Sequence, residues 1–153
     1  MMQTQLETVE VETGPKPTGS VIFMHGLGAD GHDFEPAVPH LADGVGRSLR
    51  FVLPHAPERS VSFNGGMRMR AWYDIRGLDK RSAEDEEGFR ASTSAVSALI
   101  RRENERGVPF GRIVVGGFSQ GGAMTLYLGA RYPQKLAGLD GSRVAGCRTD
   151  KPP

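Results

Sequence analysis

The segment Val115–Met124 reads VGGFSQGGAM, a serine framed by glycines directly after an apolar run. A serine hydroxyl is a weak nucleophile at its ordinary pKa, so chemistry at Ser119 needs a base to take its proton and a third group to orient that base. Gly117-Phe118-Ser119-Gln120-Gly121 is a G-x-S-x-G sequence. In that pattern the serine sits in a strained turn between a strand and a helix, and small residues two before and two after it give the backbone room. A helix beginning at Gln120 would aim its N-terminal dipole and free N–H groups at the serine, which suits a reaction that builds negative charge there. The bland alternative is a glycine-rich turn whose serine caps the following helix. The four histidines, His25, His32, His40 and His55, all precede Ser119.

A second constellation is His25-Gly26-Leu27-Gly28, after the apolar run Val21–Met24. An oxyanion hole in this kind of architecture takes one N–H from the residue after the nucleophile and one from an earlier strand-to-helix loop, roles that the backbone N–H groups of Gln120 and Leu27 fit. His25 itself reads as structural, closing a buried strand with hydrogen bonds to nearby backbone. The same segment spells G-x-G-x-x-G from Gly26 to Gly31, the dinucleotide fingerprint. Its second half is missing, because the next apolar run, Leu49–Leu53, leads into Pro54-His55 rather than an acidic residue. His25, Asp30, His32 and Asp33 have the residue types of a metal site but no familiar ligand spacing, and no metal is expected. Met67, Met69, Trp72 and Tyr73 are candidates for an apolar acyl pocket, Met69 and Trp72 foremost, against ordinary packing of a loop onto a sheet.

These residues must be positioned by regular elements. Leu6–Thr13 alternates polar and apolar residues as an edge strand does, and Val21–Met24 and Leu49–Leu53 read as strands buried on both faces. Phe34, Ala37, Val38 and Leu41 have helical spacing, interrupted by Pro36 and Pro39 into a short irregular helix. Residues 59–77 lose all periodicity and read as one long loop. Residues 85–106 have an acidic start, a basic end and apolar residues at Phe89, Val96, Leu99 and Ile100, so charge and period agree on a helix. A strand over 112–118, a helix over 120–132 closed by Pro133, and the beginning of a strand at 136–139 follow. Strands alternating with helices predict an α/β fold, a mainly parallel sheet with right-handed crossovers and helices on both faces. Residues 140–153, DGSRVAGCRTDKPP, have no period and read as an unstructured tail, so the expected organisation is one partial domain over 1–139 and a tail over 140–153.

Composition narrows the function classes. At 153 residues the chain suits a single domain with a real core. Nineteen basic residues against eighteen acidic give a net charge of +1, which favours neither nucleic acid nor an anionic membrane as partner. The single cysteine, Cys147, cannot form a disulfide within the chain, which points to a reducing, cytoplasmic compartment. The first residues lack the charged and apolar regions of a secretion signal, and no apolar run approaches the roughly 20 residues that span a bilayer.

Three blocks, HGLGADGHDFEPAVPHL at 25–41, FVLPHAPERSVSFNGGMRMRAWYDI at 51–75 and GFSQGGAMTLY at 117–127, resemble the bacterial carboxylesterases of the phospholipase/carboxylesterase family, related to the acyl-protein thioesterases. The resemblance covers about Val9 to Leu139. It implies an α/β-hydrolase fold, no cofactor, and hydrolysis of short or medium acyl esters or thioesters as small-molecule substrates through an acyl-serine intermediate. It matches Ser119 to the nucleophile, and Leu27 and Gln120 to the oxyanion-hole donors. A homodimer stays open.

The departure from the family is also specific. Members continue for several strands and helices past the segment matching Leu136–Leu139, and that part holds the triad aspartate and histidine, in the order Ser, Asp, His. Here Asp140 and Asp150 are the acids after Ser119, and no histidine follows it. The expectation is a C-terminally truncated, incomplete α/β-hydrolase whose activity is strongly impaired, with the strand before Ser119 short of neighbours. A non-catalytic acyl-binding or interaction protein is the alternative, and a dinucleotide-binding domain ranks last.

Overall fold

The computed structural model describes residues 5–43, 45–77 and 84–142. Five strands form the main sheet: β1 (Thr8–Glu12), β2 (Gly19–Met24), β3 (Leu49–Pro54), β6 (Ile113–Phe118) and β7 (Gly138–Ser142), in the spatial order β1-β3-β2-β6-β7. β1 runs antiparallel to β3, and the other pairings are parallel. This is the mainly parallel α/β sheet that the alternation of patterns predicts. From β2 the chain goes one way to β3 and later the other way to β6, so the sheet has its topological switch point between β2 and β6. Ligand sites of open α/β sheets form at the C-terminal ends of the strands flanking such a point. Register pairs Met24 with Gly117, which brings His25-Gly26 and Ser119 together at that place.

Helices α2 (Glu86–Glu105) and α3 (Gln120–Gly129) cover one face. Ile22, Met24, Ile113 and Val115 point into that core and meet Val96, Leu99, Ile100, Met124 and Leu128. The other face receives Val21, Phe23, Phe51 and Leu53, covered by the short helix α1 (Val38–Ala42) and two 3₁₀ turns before it, with Phe34 stacked on Phe23 at 3.8 Å between centroids. This cover is thin, so Val21 and Phe23 are half-buried where burial on both faces was expected. Asp85 caps α2 by accepting the Gly88 N–H, and Glu86 and Glu87 follow in its first turn, as the charge pattern predicts.

Three expectations are corrected. Residues 59–77 contain a hairpin, β4 (Glu58–Val61) and β5 (Met67–Arg70), whose turn uses Gly65 and Gly66 at φ 66° and 79°. Burial does alternate along β4, with Arg59 half-buried and Val61 fully buried, but an arginine at an inward position erases the apolar period that would mark the strand. Helix α3 stops at Gly129, three residues before Tyr132, since the residues ahead of Pro133 are biased away from helical geometry. β7 starts at Gly138 and runs through Ser142, so residues 140–142 belong to the sheet and not to a tail; residues 143–153 lie outside the described residues. β6 is therefore paired on both sides and β7 is the edge, with Phe118 and Leu139 exposed nearby.

At the opposite end of the sheet Glu103 of α2 has no exposed surface. It accepts hydrogen bonds from Ser20 Oγ (2.6 Å), Arg50 Nη1 (2.9 Å) and Arg106 Nη1 (2.9 Å), tying α2 to β2 and β3. Arg102 and Arg106 continue to Glu10 on the edge strand. Burial alone would raise the Glu10 pKa, but hydrogen bonds from Arg106 and Thr8 and the charges of Arg102 and Arg106 hold it below its ordinary 4.5. Removing Glu103 leaves a largely buried Arg50 with only the longer 3.7 Å contact to Glu12, and loss of one partner from a buried pair costs about 3–5 kcal/mol. Glu103→Ala should therefore lower the urea midpoint by an amount in that range with an unchanged slope, and a shift under about 1 kcal/mol would show that water replaces the carboxylate.

Candidate active site

Ser119 stands between β6 and α3 at φ 56°, ψ −115°. Positive φ is sterically costly for a non-glycine residue, and the surrounding packing must hold it. An added Cβ on Gly117 would lie 2.2 Å from the Gly121 carbonyl, and one on Gly121 would lie 2.1 Å from Met24 O and 2.7 Å from His25 O. Both positions are thus closed to any side chain, and α3 begins pressed against the end of β2. A Cβ on Gly26 would sit 3.5 Å from both Ser119 Cβ and Phe118 O, so the His25-Gly26-Leu27 turn abuts the serine.

Gln120 is the first residue of α3, where the N–H has no partner within the helix. In the facing turn Gly28 N–H donates to Arg70 O and Ala29 N–H to Gly26 O, while the Leu27 N–H has no protein acceptor among the described residues. The half-buried Ser119 thus stands at the positive end of α3, with the turn that carries Leu27 against it through Gly26.

His25 is buried and wholly committed. Its Nε2 accepts the Ala56 N–H at 3.0 Å, which places the proton on Nδ1, and Nδ1–H donates to Gly26 O at 2.7 Å. Burial holds its pKa below the ordinary value, more than the Gly26 hydrogen bond and the Asp30 charge raise it. It is a neutral structural histidine, as its position predicts. His55 Nδ1 accepts the Gly31 N–H at 3.0 Å, and Asp30 accepts the His32 N–H, so these groups of the 25–33 segment hold turns. Among the described residues no cluster of three or more His, Cys, Asp or Glu could hold a metal.

The two pocket candidates part company. Met69 is half-buried, and its sulfur lies 3.8 Å from where a Cβ of Gly28 would stand. Trp72 has no exposed surface: its indole N–H donates to His25 O at 2.9 Å and its ring packs in the main core. It supports the site and does not line it, because a tryptophan that finds a partner for its N–H is stable inside the core. Cavities of about 340 and 430 Å³ share Tyr132, Pro133 and Gln134 and are lined by none of Ser119, Met69 and Trp72.

Ser92 and the side chain of Gln120 were not anticipated. Ser92 Oγ donates to Trp72 O, and the Gln120 carboxamide bonds the backbone at Trp72 and Tyr73. The trace in the sequence is a hydroxyl on the same helical stripe as Phe89 and Val96, where an apolar residue is the norm.

Residues 6–143 match the phospholipase/carboxylesterase family. The chain belongs to that family. Acyl-protein thioesterase 1 of Cryptococcus neoformans var. neoformans serotype D is 40% identical over 141 residues, 90% of this chain and 59% of that protein. The protein of the same name from Neurospora crassa is 44% identical over 128 residues, 80% of this chain and 52% of its own length. Among solved structures, Arabidopsis thaliana SOBER1 aligns with a TM-score of 0.71 at 30% identity over 79% of this chain and 59% of that one. Zea mays acyl-protein thioesterase 2 aligns at 0.66 and 26% identity, over 88% and 61%. The chain spans less than two thirds of the length of these relatives.

Two outcomes follow from the packing and from His25. Gly121→Ala should destabilise the chain by about 3 kcal/mol, at the upper end for an inserted methyl, because backbone rather than a flexible side chain stands in the way; an unchanged thermal midpoint would refute the close approach. Since the folded pKa of His25 is lowered, the unfolded chain binds the extra proton first. The stability from its neutral form is full above about 6.5 and is lost as pH falls through the folded value. The stability difference between wild type and His25→Gln should therefore shrink from pH 7.5 to pH 5, and a difference that grows on acidification would contradict a buried neutral ring.

Proposed function

We propose that this chain carries the nucleophile and oxyanion hole of a serine carboxylic-ester hydrolase acting on short or medium acyl esters or thioesters. In this reading Ser119 Oγ attacks the acyl carbonyl, the backbone N–H groups of Leu27 and Gln120 receive the developing oxyanion, and the alcohol or thiol leaves an acyl-serine for water to cleave. The observation that carries it is the strained Ser119 backbone in a G-x-S-x-G turn, beside an uncommitted Leu27 N–H and at the start of α3. Membership of the family and the names of the fungal and plant relatives support acyl esters and thioesters as the substrate class. Met69, beside Gly28, is the residue we assign to the acyl-chain side of the site. The one cysteine in the sequence fits a cytoplasmic setting. Among the described residues no helix is long and apolar enough to cross a membrane.

The mechanism needs a base within about 2.6–3.2 Å of the hydroxyl. Both nitrogens of His25 are engaged, and no histidine follows Ser119 in these 153 residues. Triad members act as a unit, so an oxyanion hole with substrate binding and no base leaves on the order of 10³–10⁴-fold catalysis over water. The commitment of both His25 nitrogens to backbone supports a second reading, a non-catalytic acyl-binding protein built on the same site.

Added imidazole separates the two. Hydrolysis of p-nitrophenyl butyrate by these 153 residues should be slow and nearly unaffected by Ser119→Ala. It should rise with imidazole in the wild type beyond the imidazole blank, and not in Ser119→Ala. Equal imidazole dependence in both proteins would sink the nucleophile reading, and saturable binding of a fatty acid by a protein that shows no turnover would favour the binding protein.

A further inference from the structure

The two proposed oxyanion donors come from different elements, Leu27 from the turn after β2 and Gln120 from the start of α3, and a third segment touches both. Arg70 O accepts the Gly28 N–H at 2.9 Å, next to Leu27. Two residues on, Trp72 N–H donates to Gln120 Oε1 at 2.7 Å, and Tyr73 O accepts from Gln120 Nε2 at 2.9 Å. A backbone N–H can only donate and a carbonyl can only accept, so the carboxamide has one workable orientation. Gln120 is almost fully buried, which makes both bonds costly to lose. The Trp72 indole holds His25 O at 2.9 Å, and Ser92 of α2 holds Trp72 O. The segment is anchored at its start as well, Arg70 Nη1 donating to Ala56 O and Ala71 N–H to Pro57 O.

We infer that Arg70–Tyr73 is a brace that sets the separation of the Leu27 and Gln120 N–H groups, with the Gln120 carboxamide as its positioning residue. The inference rests on the reading of Ser119 as nucleophile. A carboxamide held at both ends stops the first turn of α3 from rotating about the strained Ser119. The Arg70–Gly28 bond does the same for the turn that carries Leu27. Both contacts lie in one stretch of four residues, so the two donors are fixed against a common frame rather than each against its own element. An oxyanion hole works by such preorganisation, since donors that must first move into place give back much of their stabilisation. Asparagine is too short to span both bonds, and methionine has the length without a donor or a strong acceptor.

The test needs no base in the site, because water and buffer take the proton. It is run below the pKa of free n-butylboronic acid, so that unbound acid stays trigonal. n-Butylboronic acid binds a serine at equilibrium: the Ser119 Oγ lone pair fills the empty boron orbital, a B–O bond forms, and the hydroxyl proton passes to water. The product is a tetrahedral anion whose B–O⁻ occupies the place of the oxyanion, and ¹¹B NMR distinguishes it from the trigonal acid. Wild type should form the tetrahedral species and Ser119→Ala should not. Gln120→Met should weaken it on the order of tenfold or more, the scale expected of a misplacement near 1 Å. Ser92→Ala should weaken it less and in the same direction. Ser20→Ala, which loosens the Glu103 cluster at the far end of the sheet, should bind as wild type does at equal fraction folded. If Gln120→Met fails to fold, Ser92→Ala decides. Folded Gln120→Met, or Ser92→Ala, binding as tightly as wild type would overturn the brace while leaving the nucleophile intact. Folded wild type without the tetrahedral signal would overturn the nucleophile reading and the brace with it.

Discussion

The closest constraint in the molecule is the seating of α3 against the end of β2. Gly121 rests where a Cβ would stand 2.1 Å from Met24 O, and Gly117 is closed off in the same way by Gly121. With no room for a side chain on either, the chain can pass from β6 into α3 only through a sharp reversal, and Ser119 takes up the angle at positive φ. The strain of such a residue, about 1–3 kcal/mol, survives because neighbouring packing over-determines it. The register of Met24 with Gly117 fixes where the reversal lies relative to the turn after β2. The position of the serine and the proximity of Gly26 are consequences of that one approach.

Electrostatics divide along the sheet. The N-terminal ends of the strands are held by charges, with Glu103 buried among Arg50, Arg106 and Ser20 and the edge strand clamped through Glu10. The C-terminal ends, where the serine lies, are held largely by neutral bonds, His25 to Gly26 and Ala56, Trp72 to His25 and Gln120 to Trp72 and Tyr73, with Arg70 donating to Ala56 O as the charged exception. Neutral, fully satisfied groups in low dielectric rigidify the backbone they join without adding net charge. His25 fits this arrangement because burial keeps it neutral, whereas a protonated ring would place a second donor where Ala56 N–H already donates.

What could be read from the sequence follows from range. The elbow is local: two glycines, a serine, an apolar run before it and helix-forming residues after it lie within ten residues, and strand, turn and helix appear as they predict. Helix α2 is legible because its caps and its period agree. The hairpin of β4 and β5 is not, because its inward positions include Arg59 and so show no apolar period, although Asn64-Gly65-Gly66 between Val61 and Met67 is the turn chemistry that marks one. The continuation of β7 through Asp140 is equally silent, since Gly138-Leu139-Asp140-Gly141-Ser142 has no apolar alternation and the strand exists by pairing with β6. Trp72 and Ser92 lie 47 and 27 residues from Ser119, and their hydrogen bonds are matters of tertiary placement that no local pattern encodes.

The geometry at Ser119 is held by β2, β6, α3 and the 70–73 segment, none of which involves a triad base. In a serine hydrolase the donors that meet the oxyanion and the base that takes the proton are separable contributions, since a preorganised hole keeps part of the rate enhancement after the triad is broken. Here the proposed donors come from the turn after β2 and the start of α3, and the contacts that place those elements involve no histidine base, since His25 is bound to Gly26 and Ala56. A base changes the barrier by receiving the proton, and it adds nothing to where the donors stand. The strain at Ser119 is therefore not evidence that catalysis is running. It records how tightly two glycines allow a helix to meet the end of a strand, a contact that holds whether or not a histidine stands opposite the serine.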